Sequence, residues 1–256
     1  MFFLPPYVLA AVIAVICAIC AYELMNAGGN KEHKRVTVYT VISSALIPAG
    51  VYFGVGEIVF TAIAIVLLCL VFIEAVIAYE AERRITFAQI MTALFSGALI
   101  PFLMSGLVSL KNMQEGRIFV LLPVVSAFIT DAGSYFAGLL LGKHKAFPLI
   151  SPKKTVEGYV GGLVIGTAAM VIFGVILIYT TQYEVRLWAL VIYGVIGAAL
   201  TELGDLIFSL IKREFDVKDY GRLLPGHGGV LDRFDSMVLT APAIYLMVIV
   251  IPAIII

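Results

Sequence analysis

The sequence is poor in charged residues and in cysteine, and both shortages exclude classes of protein. Only 13% of the 256 residues are charged, whereas 62% are hydrophobic and the mean hydropathy is +1.07. Soluble domains carry about 25% charged residues, so the composition predicts a polytopic membrane protein. The three cysteines, Cys17, Cys20 and Cys69, lie in apolar runs without neighbouring histidines. Neither a disulfide framework nor a zinc site is therefore expected.

The common nucleotide-binding signatures are absent as well. The sequence contains neither GxxxxGK[ST] nor GxGxxG, the loops that hold phosphates in soluble nucleotide-binding domains. It has no fixed-period repeat and no polar stretch long enough to form a separate soluble domain. The formal net charge is zero, so nothing indicates a nucleic-acid partner. A nucleotide would have to be held by residues of membrane helices and their loops.

Eight apolar runs are each long enough to cross a bilayer, which takes about 20 residues. They are 4–25, 36–55, 57–79, 88–110, 117–142, 159–181, 187–208 and 237–256. The sequence therefore predicts an all-α integral membrane bundle of about eight transmembrane helices in one domain. Residues 1–110 would form the N-terminal helices and 117–256 the catalytic helices and loops. The first run lacks a basic segment and a cleavage site, so we expect a retained helix and not a signal peptide.

The distribution of basic residues predicts the orientation. Fourteen of the 17 lysines and arginines fall in the loops after the first, third, fifth and seventh runs. Cytoplasmic loops collect such residues. We expect these four loops to face the cytoplasm and both termini to face the other side.

The stretch 209–235 concentrates charge between the last two runs. It contains five basic residues, five carboxylates and one of the three histidines. At helical spacing, one face of the seventh helix presents Glu202, Asp205, Ser209 and Lys212. A helix end that extends its charges to the interface would account for Lys212 but not for the short acidic side chains. The pattern predicts a site for phosphates and metal at the end of a membrane helix.

A glycine-rich turn and two aspartates complete this stretch. Glycines around His227 would let backbone N–H groups approach a phosphate, and His227 could donate a proton or hydrogen bond to it. If the last helix begins near Leu231, Asp232 and Asp235 lie side by side at its N-terminus. Together with Asp205 they would form an oxygen-rich pocket suited to Mg²⁺. A solvated histidine and a helix cap are the alternatives that need no ligand.

The fifth and sixth runs contribute further candidates. Asp131 lies inside the fifth run, where a carboxylate costs about 3 kcal/mol, so we expect it to be paired or to bind metal. The loop that follows supplies hydroxyl and ammonium donors ahead of a helix N-terminus, an arrangement that binds phosphate oxygens. These donors are Ser151, Lys153, Lys154 and Thr155. The usual enrichment of cytoplasmic loops in basic residues would explain only the lysines.

Small and polar residues inside the runs predict helix contacts. Gly158, Gly162 and Gly166 recur every fourth residue and form a face that another helix can approach closely. That helix could belong to the same chain or to a second subunit in a homodimer. Glu74 has no companion motif, so we expect it to form a hydrogen bond between helices. We expect His144 to be solvated.

Residues 127–236 resemble the phosphatidate cytidylyltransferases, also called CDP-diacylglycerol synthases. The resemblance lies in DAGSY at 131–135, SPKKTVEG at 151–158, ELGDL at 202–206 and the stretch 209–235. It implies that phosphatidate attacks the α-phosphorus of CTP in the lipid bilayer, with Mg²⁺ and a second, monovalent cation such as K⁺. The predicted catalytic residues are Asp205, Lys212, His227, Asp232 and Asp235, and the predicted metal ligands are Asp131, Asp205, Asp232 and Asp235. The predicted substrate-binding residues are Ser151, Lys153, Lys154, Thr155, Ser209, Arg213, Lys218, Asp219, Gly228, Gly229 and Arg233.

Two other functions compete with this interpretation. Buried Asp131, Glu202 and Asp205 could line the ion path of a transporter or channel, although a transporter is expected to contain repeated halves with matching broken helices. A related CTP-dependent enzyme could act on another lipid phosphate or on a polyprenol.

Overall fold

The structure is a computed structural model that describes residues 5–221 and 228–255, apart from the side chain of Lys31. The longer helices are α1 (Pro6–Ala27), α2 (Lys34–Tyr52), α3 (Gly56–Glu80), α8 (Leu121–Leu141), α9 (Val156–Thr180), α10 (Leu187–Glu214) and α11 (Leu231–Val250). The shorter ones are α4 (Phe87–Leu94), α5 (Ile100–Met104), α6 (Gly106–Asn112) and α7 (Gly116–Phe119). A 3₁₀ turn (Asn30–Glu32) precedes α2, and a π-helical turn (Phe95–Leu99) joins α4 to α5.

Seven helical stretches of the described chain are long and apolar enough to cross a membrane. They are Pro6–Ala27, Gly56–Glu80, Phe87–Asn112, Gly116–Leu141, Val156–Thr180, Leu187–Glu214 and Leu231–Val250, and they correspond to seven of the eight predicted runs. The predicted run 36–55 is helical as α2, but it falls outside these seven. Helix α3 has large exposed apolar side chains such as Ile58, Ile65 and Val76, as expected of a helix that faces lipid.

The last two long helices extend further into the charged stretch than their apolar runs predicted. Helix α10 ends at Glu214 and not at 208, so that Lys212 and Arg213 form its last turn. Basic side chains there interact favourably with the negative end of the helix dipole. Helix α11 begins at Leu231, which confirms the start on which the pairing of Asp232 with Asp235 depended.

In the described part of the chain, two short antiparallel strand pairs accompany the helices, although the sequence predicted helices and loops alone. Strands β1 (Lys145–Phe147) and β2 (Ser151–Thr155) form a hairpin between α8 and α9. Strands β3 (Glu184–Val185) and β4 (Ile254–Ile255) pair near the ends of α9 and α11. The hairpin is too short to produce a clear alternation of polar and apolar residues.

The chain divides into two compact units. Among the described residues, the first unit comprises 113–210 and 235–255, and the second comprises 5–112, 211–221 and 228–234. In the first unit the predicted glycine face of α9 lies against α8. A Cβ at Gly158 would lie 2.9 Å from the carbonyl oxygen of Ser134, and one at Gly166 would collide with Thr130. The close neighbour is therefore a helix of the same chain.

The core of the second unit lies between α1, α2, α3 and the α4 segment. Its buried residues are Met25, Val36, Ile47, Leu67, Val71, Ile90, Ala93 and Ala98. Thr86 and Gln89 form a capping box at the start of α4, which satisfies two backbone donors that the helix leaves unpaired. Glu74 of α3 accepts a hydrogen bond from Tyr39 of α2 at 3.3 Å, which confirms the predicted contact between helices.

Candidate active site

A cavity of about 520 Å³ in the first unit brings together three of the sequence motifs. Its polar lining includes Asp131, Ser134, Tyr135, Lys153, Lys154, Thr155, Tyr159, Glu202 and Asp205. Helices α8, α9 and α10 and strand β2 supply these side chains. Three carboxylates and two ammonium groups thus line one space, although 74 positions separate Asp131 from Asp205 in the sequence.

An ion pair between β2 and α10 lies in this cavity. The Lys154 Nζ contacts the Asp205 carboxylate and lies 5.2 Å from the centre of the Tyr159 ring. Burial lowers the pKa of Lys154, but the charge and hydrogen bond of Asp205 outweigh burial and raise this pKa above its ordinary value. Lys154 is therefore protonated at neutral pH. Ser209 donates a hydrogen bond of 3.3 Å to the Oδ1 of Asp205 from one turn further along α10.

A second carboxylate of α10 is held from α8. Glu202 is buried, and its Oε1 accepts a hydrogen bond from the Ser134 Oγ at 2.6 Å. Gly162 of α9 lies against this pair, because a Cβ there would collide with both the Ser134 Oγ and the Glu202 Oε1. The sequence placed Glu202 on the charged helix face but did not include it or Ser134 among the site residues.

From Asp235 onward, α11 packs against α8 and α10. The Oδ2 of Asp131 accepts a hydrogen bond from the Ser236 Oγ at 3.2 Å, so Asp131 is paired as expected. A Cβ at Gly204 would lie 2.9 Å from the carbonyl oxygen of Asp235, and glycine at this position permits the close approach of the two helices. Asp235 is itself buried, and its Oδ1 accepts a hydrogen bond from the Ser236 N–H at 2.8 Å.

Residues in the hairpin and next to it also form local hydrogen bonds. Thr155 caps α9, since its Oγ1 accepts a hydrogen bond from the Gly158 N–H at 3.1 Å. Glu157 accepts hydrogen bonds from the N–H groups of Lys143 and His144, and its Oε1 lies 2.5 Å from the His144 Nδ1. His144 is 78% exposed, as expected of a solvated histidine, and it also pairs with Glu157.

In the second unit, protein donors surround the carboxylate of Asp232. The Lys212 Nζ lies 2.9 Å from its Oδ1. Its Oδ2 accepts hydrogen bonds of 2.9 Å from the N–H groups of Tyr220 and Gly229. The Asp232 side chain is only 5% exposed. Two groups predicted to contact phosphate, Lys212 and the Gly229 N–H, are thus engaged with a predicted metal ligand.

The remaining predicted residues lie in the stretch 209–235, except for Ser151. Ser151 begins β2, Lys218 and Asp219 follow α10, Gly228 and Gly229 precede α11, and Arg233 lies in the first turn of α11. Gly228 has a φ of 83°, which favours glycine. His227, the predicted proton or hydrogen-bond donor, lies outside the described residues.

Glu23 of α1 is a residue that the sequence reasoning missed. It is 5% exposed, and its carboxylate accepts hydrogen bonds from the N–H groups of Val230 at 3.0 Å and Leu231 at 2.9 Å. Its one signal in the sequence is its chemistry, because a carboxylate within an apolar run needs a partner. The same argument had identified Asp131 and Glu74.

The donor set suits a metal ion that arrives with a phosphate ligand. Within 5–221 and 228–255, no group of three or more His, Cys, Asp or Glu side chains is arranged to hold an ion. Mg²⁺, however, often takes only one or two carboxylates together with substrate phosphates. Asp131 and Asp205 line one cavity with room for a phosphate, so these residues fit such an ion.

Comparison with known proteins identifies similar sequences. The sequence model of the cytidylyltransferase family matches residues 1–251. The phosphatidate cytidylyltransferase of Staphylococcus saprophyticus is 42% identical over 139 residues, which are 54% of this chain and 52% of the relative. The proteins of that name from Staphylococcus haemolyticus and Staphylococcus aureus are each 40% identical, over 53% and 54% of this chain and 51% and 52% of the relatives. The chain spans about half the length of these relatives.

Proposed function

The chain belongs to the cytidylyltransferase family, and from this premise we propose that it converts CTP and phosphatidate to CDP-diacylglycerol and pyrophosphate. The observation that carries the proposal is the cavity in which acidic side chains of α8 and α10 meet the two lysines of β2. Such a space can accept a polyphosphate and a cation together. The name of the similar staphylococcal proteins supports phosphatidate as the lipid substrate.

The proposed reaction needs no protein nucleophile. An oxygen of the phosphatidate phosphate attacks the α-phosphorus of CTP, the bond from that phosphorus to the bridging oxygen breaks, and pyrophosphate leaves. Catalysis of this kind depends mainly on positioning and charge neutralisation. Lys153 and Lys154 would bind phosphate oxygens from β2. Ser209 orients Asp205 on one side, and Ser134 holds Glu202 in place.

The reaction is proposed to depend on Mg²⁺, with a monovalent cation such as K⁺ as a second ion. Asp131 and Asp205 would hold Mg²⁺ in the first unit, while Asp235 and Asp232 stay predicted ligands. When bound, the ion would neutralise phosphate charge and polarise the bond to the α-phosphorus. Lys154, which is protonated at neutral pH, would release part of its contact with Asp205 to the incoming phosphate.

The membrane arrangement follows from the same proposal. We propose eight crossings of a bacterial inner membrane, which are the seven stretches named above and α2. Both termini would lie on the side away from the cytoplasm. Hairpin β1–β2 and the stretch after α10 would then face the cytoplasm, where CTP is present. The acyl chains of phosphatidate could stay in the bilayer while only its phosphate enters the cavity.

Position-specific labelling of CTP tests the proposed reaction. The purified chain, reconstituted in liposomes containing phosphatidate, should transfer label from [α-³²P]CTP into the chloroform phase only when Mg²⁺ is present. Label from [γ-³²P]CTP should appear in pyrophosphate and stay in the aqueous phase. Transfer of the γ-label to lipid, or no transfer from either position, would contradict the proposal. A preference for polyprenyl phosphate over phosphatidate would favour the related enzyme instead.

A further inference from the structure

Glu23 contacts the segment that leads into the predicted catalytic Asp232. Both lie in the second unit, with Glu23 near the C-terminal end of α1 and Asp232 in the first turn of α11. The two Glu23 oxygens accept hydrogen bonds from consecutive N–H groups, those of Val230 and Leu231. The first N–H groups of a helix have no partner within the helix, so Glu23 supplies acceptors that α11 lacks.

The glycines of the segment are fitted to this carboxylate. A Cβ at Gly229 would lie 2.5 Å from the Glu23 Oε2, and its three nearest atoms would all belong to the Glu23 carboxyl group. A Cβ at Gly221 would also meet only Glu23 atoms as its three nearest neighbours. Neither glycine has a φ in the left-handed region, so the reason for glycine here is the proximity of Glu23.

Glu23 and Asp232 hold adjacent parts of one backbone segment. Asp232 accepts the Gly229 N–H, and Glu23 accepts the next two N–H groups. A shift of Val230 would therefore move Gly229, and with it the carboxylate of Asp232. Hydrogen bonds to a charged acceptor are among the stronger ones in proteins, so this arrangement fixes the segment firmly.

We propose that Glu23 is a positioning residue for the transfer reaction: it holds residues 229–231 and thereby sets the orientation of Asp232. The inference rests on the proposed function, because it takes Asp232 as part of the catalytic machinery. Glu23 itself need not touch either substrate.

The nearly isosteric variant Glu23→Gln tests this inference. The amide keeps one acceptor oxygen but turns an NH₂ group towards a backbone N–H, so one hydrogen bond is lost. Hydrogen exchange of the Val230 and Leu231 amides should become about tenfold faster. The kcat should fall by about 10- to 100-fold, the scale of a misplaced catalytic group, while the KM for CTP changes little. Glu57→Gln, an exposed glutamate of the same unit, is the matched control and should change neither quantity.

A double-mutant cycle keeps the test valid if one variant is poorly folded. Gly229→Ala should lower kcat because its methyl group displaces the Glu23 carboxylate. The variant Glu23→Ala removes every atom that this methyl group would meet first. The double variant should therefore be no less active than Glu23→Ala alone, and the two losses should not multiply. Independent, multiplying losses would overturn the proposal.

The two readouts separate this inference from the proposed function. If the unmodified chain makes no CDP-diacylglycerol, the proposed function fails, and the exchange rates alone decide whether Glu23 holds the segment. If Glu23→Gln accelerates exchange but leaves kcat unchanged, Glu23 only stabilises the fold and the positioning role is wrong. Unchanged exchange would also overturn it.

Discussion

Replacement of Lys154 by glutamine should remove most of the activity without unfolding the protein. The side chain joins β2 to Asp205 of α10 inside the cavity, and it is one of two ammonium groups facing three carboxylates there. Lys154→Gln leaves three carboxylates with one lysine in the cavity, so the binding of a nucleoside triphosphate there becomes less favourable. It also removes the cationic side chain that contacts Asp205.

The magnitude follows from the kind of contact that is lost. Both side chains of the pair are about a quarter exposed, so the loss is smaller than for a fully buried pair. A hydrogen bond between charged groups contributes about 1.5–3 kcal/mol. If Lys154 makes a hydrogen bond of this strength to the phosphate in the transition state, kcat/KM should fall by about 10- to 100-fold, since about 1.4 kcal/mol corresponds to a factor of ten.

The assay is the transfer of α-label from CTP to lipid, measured over a range of CTP concentrations. The matched control is Lys145→Gln, which removes one positive charge from the exposed partner strand of the same hairpin. The control should retain the activity of the unmodified chain. Equal losses in both variants would show that the overall charge of the hairpin matters and not the contact in the cavity, and this would refute the reasoning.

Two further changes test individual contacts of the first unit. Tyr193→Phe removes a buried hydroxyl that donates to the Ile251 carbonyl at 2.8 Å, so the free energy of unfolding should fall by about 1 kcal/mol. Activity should stay intact, because Tyr193 lies about 18 Å along α10 from Asp205. An unchanged free energy of unfolding, measured with denaturant, would contradict the predicted loss of stability. Gly162→Ala introduces a methyl group against the hydrogen-bonded side chains of Ser134 and Glu202. It should lower the free energy of unfolding by about 1–3 kcal/mol and should also reduce the transfer activity. A fully active and stable Gly162→Ala would mean that this pair has no part in the site.

The sequence predicted the helices well because membrane spans depend on one dominant quantity, the length of an apolar run. It was less successful where polar and apolar requirements compete. Helix α10 continues past its apolar run into charged residues, which a helix end at the membrane–water interface can accommodate. The length of an apolar run therefore does not predict where such a helix ends. The β1–β2 hairpin was missed because five residues of β2 give too little alternation.

The candidate site was predictable in composition but not in pairing. The motifs at 131–135, 151–158 and 202–206 were predicted as separate candidates, and the structure brings residues of all three to one cavity. The sequence did not predict that Lys212 pairs with Asp232. Lys212 was assigned to phosphate binding and Asp232 to metal binding. Glu23 was missed because its partners are backbone N–H groups 207 and 208 residues away along the chain, and backbone groups leave no signal in the sequence.

The most direct test of the central claim compares Asp205→Asn with Asp216→Asn in the lipid-labelling assay. Asp205 lines the cavity, whereas Asp216 is exposed in the turn after α10 with a φ of 51°, which asparagine also adopts readily. Both variants lose one negative charge with almost no change in shape. If transfer takes place in the cavity, Asp205→Asn should reduce the rate of CDP-diacylglycerol formation by at least about 100-fold, while Asp216→Asn stays as active as the unmodified chain. Equal activity of the two variants would contradict the account.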